Sequence, residues 1–556
     1  MSSTPVCAIQ YHPDAYKADR VGVKGRHSAG SGFLTGLFRH GRAPFHASVT
    51  PNERHAAEFA EAARQRDPQG RETRNFRTML AADPAAECVM VPGPVFDEFA
   101  WERRIKDQRA YSICGVTHTL SSDRIIAGLA NFHILPLQPW DALVCTSRVA
   151  RDVVVNAMET YADYLARRTG AKCATSLKLP IIPLGVDGAR YAENVATRQS
   201  FRAGIGAGEG DFVILFLGRF TFHAKAHPVP MYLAAERAAK LLPDRKVHLV
   251  MVGQAPNENI LKLFKSGAET YTDAAEVHFV DGRDDGLVSG SWQGADVFLS
   301  LSDNIQETFG LTPIEAMAAG LPAVVSDWDG YKDTVVHGET GFRVPTATPG
   351  SGSGLEFAVK YQTRQEDYDR FVGRACMSTS CDLQATTDAL VQLAKDPGLR
   401  ARMGDAGRAR ARSHYDWSVV IRAYEELWLE LRELRSAAAE VAPRQDQESP
   451  HPLYPDPFGI FAPHPSFVLS EDTVISADPE SRLAGFDDLT RHPFCSFSSD
   501  LMLPSQVLPD LLARLTAGGP LSVGEIERLV APEMQQHLRR SLPWLAKFGL
   551  IKLSSQ

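Results

Sequence analysis

The chain has 556 residues, of which 44% are hydrophobic and 23% charged, and a formal net charge of −8 at pH 7. That length suits about three to four domains with sizeable cores, while the acidic balance argues against non-specific nucleic-acid binding or an anionic membrane surface as the main partner. No apolar run reaches the roughly 20 residues of a membrane-spanning helix and Met1-Ser2-Ser3-Thr4-Pro5 lacks a signal-peptide pattern, so a cytoplasmic location is expected; the eight scattered cysteines favour buried thiols over disulfides or a zinc site.

Val6-Cys7-Ala8-Ile9-Gln10-Tyr11 reads as a buried strand, and Gly25-Arg26-His27-Ser28-Ala29-Gly30-Ser31-Gly32 follows before an apolar run from Phe33. A glycine-rich loop opening a helix can admit phosphate or an acceptor, though no Gly-Lys-Ser or Gly-Lys-Thr closes it as a P-loop. Tyr111-Ser112-Ile113-Cys114-Gly115-Val116 is another strand, which puts His118 at its carboxyl end, where open α/β sheets bind ligands. Short apolar runs followed by turn residues recur at 142–147, 181–187, 247–253 and 277–282, alternating with helical patterns. This alternation predicts an α/β protein with two similar halves, each a parallel sheet covered by helices.

The second half carries the chemistry. Phe212-Val213-Ile214-Leu215-Phe216-Leu217 predicts a strand ending in Gly218-Arg219, with Lys225 six residues beyond the arginine. Both cations can reach one diphosphate, and a cation about 4 Å from a phosphate charge gains on the order of 4 kcal/mol at an effective dielectric near 20. Charge grows on a leaving phosphate as a glycosidic bond breaks, so the pair is useful in the transition state. A further strand, Val297-Phe298-Leu299-Ser300-Leu301, precedes Gln306-Glu307-Thr308-Phe309-Gly310-Leu311-Thr312-Pro313-Ile314-Glu315-Ala316-Met317-Ala318-Ala319-Gly320-Leu321-Pro322. Gly310 permits close backbone approach to a ligand, Thr312 and Pro313 are expected as N-cap and first helical residue, and Gly320 with Pro322 stops the helix. The helix N-terminus offers amides and a positive dipole end to phosphate. Glu307 and Glu315 approach a ligand from two directions; a carboxylate accepts two hydrogen bonds from a vicinal diol, so one suits a ribose and the other a hexose. Thr312-Pro313-Ile314-Glu315 also fits a capping box, in which Glu315 folds back onto its own N-cap amide.

The stretch 307–322, followed by Ser326-Asp327-Trp328-Asp329-Gly330-Tyr331 and Gly338-Glu339-Thr340-Gly341-Phe342, resembles retaining glycosyltransferase family 4 (group 1), whose signature is Glu, seven residues, Glu. The resemblance implies a GT-B fold: two Rossmann-like doubly wound domains facing a cleft, 1–200 on the acceptor side and 201–436 binding the sugar nucleotide, with 179–187 as hinge strand. It implies Glu315 on the ribose hydroxyls, and Glu307 with the amides of Phe309, Gly310 and Leu311, beside Thr308, on the transferred sugar and nearby phosphate. Gly218, Arg219 and Lys225 are similar to the family's diphosphate clamp, although Phe220-Thr221-Phe222-His223 stands where an acidic residue is often met. His118 is implied against the donor sugar, Gly30 and Gly32, with Arg26, along the cleft, and backbone near Val280, Asp281 and Gly282 beside the base.

Arg219, Lys225, Glu307 and His118 are thus the expected catalytic residues. The implied reaction moves a hexose from a nucleotide-diphosphate sugar, UDP-linked, to an unspecified acceptor with retention by front-face displacement; no metal or other cofactor is implied. The acceptor class stays open among saccharide, lipid, peptide and small molecule. Two rival readings stand beside it: a nucleotide-sugar epimerase on the same fold, and a sugar-nucleotide-sensing protein whose C-terminal module does the work.

Trp417, Val420, Ile421, Tyr424 and Leu427 lie at helical spacing, so 416–434 is expected to form a helix that closes the catalytic unit. Residues 437–468, rich in Ala, Pro, Gln, His and acidic groups, read as a linker. The remainder, 469–556, is similar to a small winged-helix module: an apolar stripe through Leu538, Leu542, Leu545 and Phe548, then the strand Leu550-Ile551-Lys552-Leu553, with Pro543 expected to break or kink the helix. Its modest charge favours a peptide or protein contact over DNA.

Overall fold

The structure, a computed structural model, describes residues 4–16, 25–446, 448–481, 491–504 and 506–554. Two parallel sheets organise the first unit, which runs to Pro450. The first holds β1 (Val6–Gln10), β2 (His46–Val49), β3 (Thr73–Phe76), β4 (Ala86–Met90), β5 (Ser112–Val116) and β6 (Ala142–Val144), in the spatial order β3-β2-β1-β4-β5-β6. The second holds β7 (Phe212–Leu217), β8 (Val247–Gly253), β9 (Glu276–Asp281), β10 (Val297–Ser300), β11 (Ala323–Ser326) and β12 (Gly341–Val344), ordered β12-β11-β10-β7-β8-β9. Counted from its own first strand, each sheet follows the same 3-2-1-4-5-6 order. The order reverses between β1 and β4, and again between β7 and β10. An open sheet of this type leaves a crevice at such a reversal, outside the carboxyl ends of the strands. Two such sheets in one unit make the GT-B type architecture.

The strands read as continuous apolar runs because both sheet faces are covered. β7 pairs with β8 along its whole length, from Phe212↔Val247 to Leu217↔Val252. Its alternate side chains feed two cores: Phe212, Ile214 and Phe216 point into one, Val213 and Leu215 into the other. A short antiparallel pair, β13 (Thr346–Ala347) and β14 (Ser380–Cys381), brackets the helices Leu355–Gln362 and Tyr368–Met377.

The helix Trp417–Ala437 leaves the second lobe and returns to the first, where Trp417, Val420, Ile421, Tyr424, Trp428 and Leu431 share a core with Phe33, Leu34 and Phe38. This packing explains the glycines near the N-terminus. Residues 25–32 form no loop; they are the start of the helix Gly25–His40. A Cβ at Gly30 would lie 2.0 Å from the carbonyl oxygen of Ala15, and one at Gly32 would lie 2.7 Å from the Trp417 ring, so close helix packing requires both. Parts of the segment after this helix also contact the first lobe: Arg104 donates to the carbonyls of Ser449 and Pro450, and Gln138 to that of Val441. The first unit therefore extends past the expected boundary at 436, and the expected linker is docked over its first third. Among the described residues, no helix is long and apolar enough to cross a membrane.

The second unit, from His451 onward, centres on β15 (Val474–Ala477), flanked antiparallel by β16 (Leu521–Ser522) and β17 (Ile551–Ser554). Ile475 meets Leu508 and Leu511 of the helix Leu508–Gly518 and Leu538, Leu542 and Leu545 of the helix Gln535–Lys547. That helix continues through Pro543 instead of stopping there. Full burial of the three leucines outweighs the roughly 3 kcal/mol that an interior proline costs.

In the first lobe one ion pair is wholly buried. Arg103, on the helix Asp97–Lys106, makes a bidentate contact with Asp141 at 2.6 and 2.7 Å, and both side chains are 0% exposed. Asp141 also accepts from the amides of Ile113 and Gln138, and Arg103 donates to the Tyr111 carbonyl, so helix, β5 and the approach to β6 are tied at one point. Removing one partner strands a buried charge. Arg103→Met is expected to lower the unfolding free energy by about 3–5 kcal/mol, read as a fall in the denaturant midpoint, and an unchanged midpoint would contradict this account.

Candidate active site

At the reversal between β7 and β10, Lys225 Nζ lies 2.7 Å from Glu307 Oε2. The two residues are 82 positions apart, and meet because β7 and β10 are neighbours, paired at Ile214↔Val297 and Leu215↔Phe298. Asn304 builds the loop between them. Its Nδ2 donates to the Lys225 carbonyl at 2.6 Å, and its Oδ1 accepts from the amides of Gln306 and Glu307 at 3.0 and 3.2 Å. Ser302 Oγ donates to the same carbonyl, and Trp328 Nε1 donates to the carbonyl of Asn304. Burial works against both charges of the pair, yet each is held in its ionised form. Glu307 raises Lys225 above the ordinary lysine range, and Lys225 with the amides of Thr308 and Phe309 holds Glu307 below the carboxylate range.

Arg219 stands beside this pair in a different state. It follows β7 directly, is half-buried, and makes no hydrogen bond or ion pair among the described residues. Burial lowers its pKa, with the fields of Glu307 and Asp369 opposing. A partly desolvated guanidinium without a carboxylate against it is suited to take up an anion. Counting Arg219, Lys225 and Glu307 together, the carboxyl end of β7 and β10 carries one net positive charge.

The helix after Glu307 begins two residues earlier than its sequence indicates. It spans Leu311–Ala319 with Gly310 as N-cap, so Thr312 and Pro313 lie inside it and no capping box forms with Glu315. A glycine cap contributes no side-chain oxygen, which leaves the first amides of the helix open. Gly310 has φ of +86°, and a Cβ there would fall 2.1 Å from the Tyr331 ring, whose hydroxyl is hydrogen-bonded to Ser300 Oγ. Glu315 is half-buried; desolvation raises its pKa, offset by the neighbouring Tyr191 hydroxyl and by Arg190. Its partners therefore come from the short 3-10 helix Gly188–Tyr191, next to the expected hinge, rather than from its own helix end.

The first lobe faces this loop with the carboxyl ends of its own strands. Ser147, just past β6, donates from Oγ to the Thr308 carbonyl at 2.8 Å. Ser121, past β5, shares a 2.7 Å hydrogen bond with the Tyr368 hydroxyl, which also accepts from Gln306 Nε2 at 3.1 Å. Arg148 closes on Asp333 through both its amide and its guanidinium. His118 and Gly30 line one pocket of the first lobe with Ala15, Phe33, Leu184 and Trp417. Gly32 is covered by Trp417, and of the Arg26 side chain nothing is described. Gly218 follows β7, and a Cβ there would lie 3.2 Å from Lys225 Cε, so it shares the crevice. Val280, on β9 two strands away from β7, lies in the same sheet, and its side chain packs into the core beneath.

Several residues of the crevice carry no signal in the sequence beyond their type. Asn304 is a single amide in a loop, and only its three bonds give it a role. Asp329 has φ of +50°, and its buried Oδ2 has no hydrogen-bond partner; burial and the nearby Glu307 raise its pKa well above the usual range. The Asp329-Gly330 turn after β11 is the one feature that could have marked it. Asp303 is 4% exposed and accepts from the His227 amide; burial pushes its pKa up to about 7. The folded protein thus keeps a proton on Asp303 that the unfolded chain gives up near pH 4. The stability this supplies is full below about pH 4 and is lost as pH rises through about 7. Asp303→Asn, which cannot ionise, is expected to show a smaller fall in Tm between pH 5 and pH 8 than the unsubstituted chain; equal falls in both would remove the cause assigned to Asp303.

Comparison with known proteins adds to this geometry. Residues 197–351 match the family model described as glycosyl transferases group 1. A phosphatidyl-myo-inositol mannosyltransferase of Mycobacterium tuberculosis is 29% identical over 218 residues, covering 38% of this chain and 46% of the relative. A D-inositol 3-phosphate glycosyltransferase of Rhodococcus erythropolis is 28% identical over 194 residues, covering 34% and 42%. The chain thus spans about half the length of the curated relatives it matches. Among solved structures, Anabaena Alr3699/HepE in complex with UDP is 15% identical, covers 77% of this chain and 100% of its own, and has a TM-score of 0.49. Arg219, Lys225, Glu307 and Glu315 all fall inside the matched segment, residues 197–351, which is similar to the glycosyl transferases group 1 family.

Proposed function

We propose that this chain transfers a hexosyl group from a UDP-linked sugar to an acceptor held by the first lobe, with retention of configuration. The observation that carries this reading is the unpaired Arg219 beside the Lys225–Glu307 pair at the reversal of strand order. A pyrophosphate entering there meets two cations and the open amides of the helix Leu311–Ala319. Glu307 then has a sugar hydroxyl as well as Lys225 to bond, and Glu315 is the carboxylate assigned to the ribose. In the reaction the acceptor hydroxyl attacks the anomeric carbon from the side of the leaving phosphate. The new carbon–oxygen bond forms as the bond to the phosphate oxygen breaks, and that departing oxygen takes the hydroxyl proton. Arg219 and Lys225 stabilise the charge that collects on it, the part a divalent ion plays at other phosphoryl sites.

The two curated relatives are named for inositol-containing substrates, while the family-model match, residues 197–351, leaves the first lobe outside it. In this reading His118 and the pocket it lines serve the acceptor. Bonds such as Ser147 to Thr308 and Ser121 to Tyr368 draw the lobes together, which limits water at the reacting carbon.

Arg219→Ala gives the sharper test, because Arg219 has no carboxylate partner to strand, whereas Lys225→Ala leaves Glu307 buried and unpaired. UDP is expected to raise the Tm of the unsubstituted chain. Arg219→Ala should keep the ligand-free Tm, lose most of the UDP-dependent shift, and release UDP from UDP-glucose about 10²–10³-fold more slowly. Equal UDP stabilisation of both proteins, or isomerised UDP-glucose with its diphosphate intact, would overturn the reading.

A further inference from the structure

The second sheet holds another constellation at the amino ends of its strands, opposite the crevice. β8 and β9 pair in parallel with His248 beside Glu276 and Val250 beside His278. Residues two apart on a strand share a face, so His248, Glu276 and His278 converge. His248 Nδ1 lies 3.1 Å from His278 Nε2 and 3.4 Å from Glu276 Oε2, and the last two atoms are 4.0 Å apart. The circumradius of that triangle, the product of its sides over four times its area, is about 2.1 Å, and zinc bonds to imidazole nitrogen and carboxylate oxygen measure about 2.0–2.2 Å. One point is therefore at bonding distance from all three atoms with no side chain moved.

We propose that His248, Glu276 and His278 bind a divalent cation of the zinc class, with solvent completing its coordination. The surroundings fit such an ion on three counts. His248 is 0% exposed, and its far ring nitrogen, Nε2, has no hydrogen bond but faces Asp211 Oδ2 at 3.6 Å. A carboxylate behind a ligating imidazole fixes the tautomer that presents the other nitrogen to the metal. Glu276 is held from the outer side, where Lys246 Nζ donates to Oε1 at 2.8 Å and leaves Oε2 turned to the histidines. β9 is the edge strand of its sheet, and His278 lines an open groove with Thr197, Phe201 and Lys265, which gives an ion its route in. A bound ion would cross-link an edge strand to its neighbour, where unpaired strand edges are weakest.

The test uses the full chain, stripped with a chelator, dialysed and titrated with zinc chloride alone. The unsubstituted chain is expected to take up one equivalent of zinc in a saturable step and to gain Tm with zinc concentration. His278→Ala and Glu276→Gln, both at partly exposed positions of an edge strand, should each weaken zinc binding at least about 10-fold, with UDP-dependent stabilisation unchanged. Two results would overturn the proposal: no saturable zinc binding, or zinc stabilisation equally strong in His278→Ala. Either would leave His248 and His278 as a plain imidazole–imidazole hydrogen bond. Because UDP stabilisation is read in the same proteins, failure here is distinguishable from failure of the donor-site reading.

Discussion

The 2.7 Å contact between Lys225 and Glu307 is the constraint on which the rest of the crevice depends. A cation and an anion taken out of water cost several kcal/mol each unless paired and further hydrogen-bonded, and both conditions are met by loop residues that do nothing else visible. Asn304 binds the carbonyl of Lys225 and the amide of Glu307 at once, so the two halves of the pair cannot drift independently. That loop exists because β7 and β10 are adjacent where the strand order reverses. One side of the reversal supplies cations and the other supplies carboxylates, with Arg219 left over as the unmatched charge.

The second constraint is backbone proximity. Gly310 packs its α-carbon against the Tyr331 ring and Gly330 packs against the backbone of Phe309, so a side chain at either would push the loop that carries Glu307 off its helix. In the first lobe, Gly32, Gly36 and Gly185 meet one indole, that of Trp417. The helix carrying Trp417 returns from the second lobe, and Val186 bridges to Asp416 beside it. The chain thus crosses twice between its lobes at one place, and the crossing is packed around a tryptophan. Glycines that read as a ligand loop serve instead to let this ring in.

Electrostatics set the two ends of the second sheet apart. Its carboxyl end gathers Arg219, Lys225, Glu307, Asp329 and Asp303, several of them shifted by burial. Its amino end gathers two imidazoles and the Glu276 carboxylate about one point, with the Asp211 carboxylate behind His248. Parallel strands make this separation automatic, since every strand presents its start to one side and its end to the other.

The sequence by itself determined the class of fold and the chemical types at the crevice of the second sheet. Apolar runs of strand length alternating with helical patterns require covered parallel sheets, and Gly218-Arg219, Lys225, Glu307 and Glu315 stand out because cations and carboxylates after strand ends have specific partners to find. Local signals failed where packing from a distance decided the outcome. The N-cap moved from Thr312 to Gly310 because Tyr331 and Gly330 fix the backbone of 309 and 310, and Pro543 stayed helical because leucines on both sides of it are buried. Asn304, Asp303, Asp329 and the His248–Glu276–His278 triangle were invisible in the sequence for one reason: each takes its meaning from residues between two and some eighty positions away, and only strand adjacency in the folded chain brings those residues within bonding distance.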